Sequence, residues 1–66
     1  MIKFLKGEIH GWTTFFRVVG DKVYYPEKSK GKYIWQLTHV TPERLTKFKE
    51  IEVTTAEDAY EDANKG

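Results

Sequence analysis

Trp12-Thr13-Thr14-Phe15-Phe16-Arg17-Val18-Val19-Gly20-Asp21-Lys22-Val23-Tyr24-Tyr25 is the stretch on which the fold turns. Two runs of β-branched and aromatic residues, which suit a pleated and half-buried surface, flank Gly20-Asp21. Glycine in the first central position matches a two-residue type II′ hairpin, where that position needs a positive φ. A turn this short sets the register: Val19 faces Lys22, Val18 faces Val23, Arg17 faces Tyr24 and Phe16 faces Tyr25. The period of two then separates the side chains. Trp12, Thr14, Phe16, Val18, Val23 and Tyr25 form an apolar layer, expected to be core. Phe15, Arg17, Val19, Lys22 and Tyr24 form a mixed aromatic and cationic layer, expected to face solvent.

Working outward, residues 2–9 read as a first strand, with Lys3, Leu5, Gly7 and Ile9 on one face and Ile2, Phe4, Lys6 and Glu8 on the other. The imperfect alternation predicts a bulge near Gly7. After a basic loop over residues 26–31, residues 32–40 resume as a strand. Thr41 as N-cap, Pro42 in the first helical position and Glu43 at the dipole's positive end predict a short helix over 42–49, with Val40 stapled to Leu45. Ile51 and Val53 alternate as a last strand. Thr54 or Thr55 can cap a C-terminal helix over 55–64 with acids in its first turn. Its apolar stripe of Ala56, Ala59, Tyr60 and Ala63 is thin, so it either docks through Tyr60 or frays, and the body is expected to fold without it.

The sum is an α+β chain: a small antiparallel β-meander of four to five strands with two helices. A partly closed SH3-like or OB-like barrel is the nearest architecture, although the helix placement fits neither cleanly. No linker or repeat divides the chain, so one domain over 1–66 is expected, with a β-rich basic body over 1–54 and an acidic helical tail over 55–66. At 66 residues the core is small, but ten aromatic residues supply much buried area each. No cysteine is present, which removes disulfides and thiolate metal sites and fits a reducing cytoplasmic setting. The apolar start breaks at Gly7 and Glu8, too short for a signal peptide or a membrane span.

Charge is nearly balanced overall, at +1, but unevenly placed. Residues 1–49 carry ten Lys and Arg against four acids, and residues 50–66 carry six acids against one Lys. Such segregation points to a charged partner or to an internal match between the halves. Solubility alone also explains an acidic tail.

The inventory argues against an enzyme. The lone serine, Ser29, has no histidine near it in sequence, the glycines form no phosphate-cradling loop, and no calcium-loop pattern occurs. His10 and His39 make a poor metal pair, and no cofactor is expected. A small cytoplasmic binding protein is expected instead, acting on a protein partner as an inhibitor or adaptor, of the compact kind that phages and viruses encode. Its contact surface is expected at Phe15, Arg17, Lys22 and Tyr24 together with Lys28, Lys30 and Lys32. Glu57, Asp58, Glu61 and Asp62 would form a second contact. The alternative is single-stranded nucleic acid held by the same basic and aromatic face. A homo-oligomer that completes the thin core is a further possibility.

Overall fold

A computed structural model describes residues 1–65, so Gly66 at the end of the expected tail lies outside it. Four strands form an up-and-down meander: β1 (Ile2–Ile9), β2 (Trp12–Val19), β3 (Lys22–Ser29) and β4 (Lys32–Leu37). A single 3-10 turn at Pro42–Leu45 leads to a short β5 (Lys49–Ile51), and α1 spans Ala56–Ala63. β5 returns to pair with β1, giving one antiparallel sheet in the order β4-β3-β2-β1-β5. β4 and β5 are its two edges.

The central hairpin has the expected register, with Val19 opposite Lys22, Val18 opposite Val23 and Arg17 opposite Tyr24. Gly20 alone of the turn pair has a positive φ, 61°, as the type II′ turn demands. The ladder stops there, short of the expected Phe16 and Tyr25 pair. Alternation along β3 would require Pro26 to donate to β2, and proline has no N–H to give. β3 instead continues through Pro26 to Ser29, paired only with β4. The expected loop over 26–31 therefore shrinks to Lys30-Gly31. His10-Gly11 is a matching turn between β1 and β2, and both pairs have two positive φ values, the type I′ arrangement.

Phe16, Val18, Val23 and Leu45 are the buried centre of the apolar layer, with Leu5, Tyr25, Val40 and Phe48 packed against it. The 3-10 turn lies over this face. Arg44 N–H donates to Thr41 C=O at 3.0 Å and Phe48 N–H to Leu45 C=O at 3.0 Å. The expected helix over 42–49 is thus one turn long, because Lys49 is already paired with Lys6 in β5. Tight i to i+3 geometry suits the pair Leu45 and Phe48, which both point into the sheet. Thr41 is extended but makes no side-chain cap bond.

Register between β1 and β2 runs unbroken from Ile2 opposite Val19 to Ile9 opposite Trp12, so there is no bulge at Gly7. Gly7 has a different role: a Cβ there would sit 2.8 Å from the Phe48 ring. The bare backbone at Gly7 is the floor on which that ring lies, while its other side meets Phe16 at a centroid distance of 5.3 Å.

The opposite face is not left to solvent. Phe4 of β1 reaches Trp35 of β4, ring centroids 5.7 Å apart, although two strands separate them in the sheet. Contact across that span requires the sheet to coil with this face inward. α1 lies over the hollow and buries Ala56 and Ala59 there, with Phe4 and Phe15 also buried on that face. Thr55 caps the helix, its hydroxyl accepting from Asp58 N–H at 3.1 Å. Tyr60 packs edge-on against Tyr33 at 5.6 Å. The helix docks, and both faces of the sheet are covered.

Candidate interaction surface

The residues expected to form the contact surface are divided by that docking. Phe15 is only 5% exposed and lies beneath α1, so it offers no area to a partner. Arg17 and Tyr24 are half-buried, with the guanidinium 6.0 Å from the Tyr24 ring centroid. The Arg17 Nε is buried and lacks a hydrogen-bond partner among the described residues. Lys22 stays exposed beside the Gly20-Asp21 turn, apart from the other lysines.

Lys28, Lys30 and Lys32 do come together, at the tip of the β3–β4 hairpin, and all three are exposed. Lys28 Nζ stands 5.3 Å from the Tyr33 ring centroid, a cation over an aromatic face. Lys30 holds a φ of 50° in the turn itself.

The four acidic residues are exposed, and two of them make contacts within the chain. Glu61 accepts from the Tyr33 hydroxyl at 3.4 Å, and Asp62 pairs with Lys6 at 3.6 Å. Part of the charge segregation is thus matched within the chain. The ion pair is about half exposed, so its contribution to stability is small. Glu57 and Asp58 are exposed.

One strong surface feature escaped the sequence reading. Trp12, assigned to the core by its alternation, is 71% exposed. It opens β2 at the tip of the β1–β2 hairpin, beyond the reach of the 3-10 turn that covers Phe16 and Val18. Its cross-strand neighbour Ile9 is 40% exposed on the same face. Ile9 also borders a cleft of about 410 Å³ lined by Phe16, Val40, Leu45 and Phe48, with Arg44 and Lys47 in its wall. Trp12 itself borders a separate hollow with Glu8, His10, Gly11, Thr13 and Ala63, so the exposed indole stands on paired strands with Ile9 between it and the apolar cleft.

His10 sits in the β1–β2 turn and His39 follows β4 at the other end of the strands, so the fold keeps them apart. No group of three or more His, Asp or Glu placed to hold a metal ion occurs among the described residues. The Tyr25 hydroxyl donates to Glu27 Oε1 at 3.3 Å, and partial burial followed by the Glu27 charge holds its pKa above the ordinary 10.0. No helix among the described residues is long and apolar enough to cross a membrane. Comparison with protein-family models, with curated proteins and with solved structures gives no match to this chain.

Proposed function

We propose that this chain is a non-enzymatic protein-binding module, an inhibitor or adaptor of a larger protein in the cytoplasm, that engages its partner through the β1–β2 tip. The observation that carries the reading is Trp12, exposed at 71% opposite Ile9, which itself borders the apolar cleft. Tryptophan is the residue type most enriched among energetic anchors of protein interfaces, and a paired hairpin presents it at little cost in ordering. The Lys28, Lys30 and Lys32 tip would steer an acidic partner towards it.

Trp12→Ala is expected to abolish capture of the chief partner from nuclease-treated native extract, with the circular dichroism spectrum unchanged because the indole packs little. A true anchor loses at least about 2 kcal/mol on truncation, roughly thirtyfold in affinity. An unaltered partner list removes this reading. The second reading, single-stranded nucleic acid, keeps one supporting observation in the three exposed lysines. It loses the Phe15 platform to burial. Oligonucleotide binding that falls steeply with added salt would favour it over a protein partner.

A further inference from the structure

The two edges of the sheet differ in their protection. β5 is three residues long and carries Lys49 and Glu50, with Glu52 just beyond, so it is short and charged. β4 is six residues, Lys-Tyr-Ile-Trp-Gln-Leu, with no proline, no acid and a single charge at its start. Ile34 and Leu37 on it are 38% and 48% exposed. Natural edge strands are commonly blunted by charge, proline, bulges or shortness, and β4 has almost none of these.

The backbone of β4 is poised for another strand. Ser29 and Lys32 flank the two-residue turn, so Lys32, Ile34 and Gln36 direct their amides toward β3. Thr38 keeps the same parity, donating its N–H to Val23 C=O at 2.9 Å. Tyr33, Trp35 and Leu37 therefore direct theirs outward, to no partner in the sheet.

We infer that β4 pairs antiparallel with β4 of a second copy of this chain, centred on Trp35, to make one continuous sheet through a two-fold axis. In that register Tyr33 lies opposite Leu37 of the second copy, Ile34 opposite its Gln36 and Lys32 opposite its Thr38, so no like charges meet. Charge placement selects this orientation. Lys28, Lys30 and Lys32 mark one end of the edge. α1 turns Tyr60 and Glu61 toward Tyr33 at that end, and Glu57, one helical turn earlier on the same side, lies toward the Leu37 end. A two-fold axis brings the lysines of each copy toward Glu57 of the other, whereas parallel pairing would stack lysine on lysine.

Sedimentation equilibrium up to about 1 mM, where weak pairs populate, measures the association. Hydrogen exchange on the same samples locates it. A dimer is expected in which the Tyr33, Trp35 and Leu37 amides become protected as concentration rises. Lys28→Glu with Lys30→Glu should weaken the dimer several-fold, and adding Glu57→Lys should restore it. A chain that stays monomeric throughout overturns the inference, whether or not another protein's strand uses the edge. A dimer with those three amides unprotected, or one that the charge swap fails to restore, also overturns it. Trp12 lies two strands from β4, and Trp12→Ala should leave the pairing intact, so partner binding and self-pairing can fail separately.

Discussion

Phe16→Ala is expected to unfold the protein at room temperature. Phe16 is 5% exposed, packs in one cluster with Leu45 and the Phe48 ring, and lies on the strand shared by the first two of the three hairpins. Truncating a buried phenylalanine costs about 3 to 5 kcal/mol, transfer and cavity terms together. A domain of this size holds about 3 to 10 kcal/mol in total at the usual yield per residue. The loss is thus comparable to the whole. Urea unfolding followed by tryptophan fluorescence should show no native baseline for the variant, while Phe16→Leu should keep a measurable midpoint. A Phe16→Ala protein as resistant as the wild type would mean that the 3-10 turn does not close over this face.

Removal of residues 55–66 is expected to have an effect of similar size, against the expectation drawn from the helix's thin stripe. α1 covers the hollow in which Phe4 and Phe15 are buried, at 8% and 5% exposure. Stripping that cover from two phenylalanines forfeits on the order of 3 kcal/mol. It also leaves an apolar patch prone to aggregate. The truncated chain should lose its near-ultraviolet dichroism and bind a hydrophobic dye. Ala59→Asp should reproduce the effect in the full-length chain, because Ala59 is fully buried and an unpaired carboxylate cannot be accommodated there. A truncated chain with the wild-type urea midpoint would show that the helix rests on the sheet without supporting it.

Sequence reading succeeded where the signal was local. Gly20-Asp21 between β-branched runs announced its own turn, and the register followed from arithmetic. His10-Gly11 and Lys30-Gly31 make equally tight turns, but they lack the Asn or Asp that normally marks the first left-handed position. Pro26 suggested a loop because a central strand cannot tolerate it. The strand is central only up to Tyr24, and beyond that Pro26 still pairs with Trp35 of β4 while its N side, toward β2, faces no ladder.

What periodicity cannot supply is the cover over each face. Alternation placed Trp12 with Phe16 and Val18, but the covering turn ends before it. Alternation also placed Phe15 with Arg17 and Tyr24 in a layer that looked wet. Ala56 and Ala59 looked too small to hold a helix down, yet small side chains let the helix backbone sit close over the rings. Gly7 drew attention as a flaw in a strand, whereas its purpose depends on Phe48, far along the chain. The lysine cluster was legible because it is contiguous, and the exposed indole was not, because its exposure is a tertiary fact.

The three two-residue turns give this protein an uneven kinetic character. Each hairpin from β1 to β4 can zip from its own bend, with contacts only a few residues apart, which favours rapid formation. Pairing of Phe4 with Ile51 instead joins the extremes of the chain, and its loop-closure entropy is met only after the meander exists. The last steps in are then the first to open: amide protection should be weakest at Lys49–Ile51 and α1 and strongest around Val18 and Val23, and uniform protection across all of these would contradict that sequence of events.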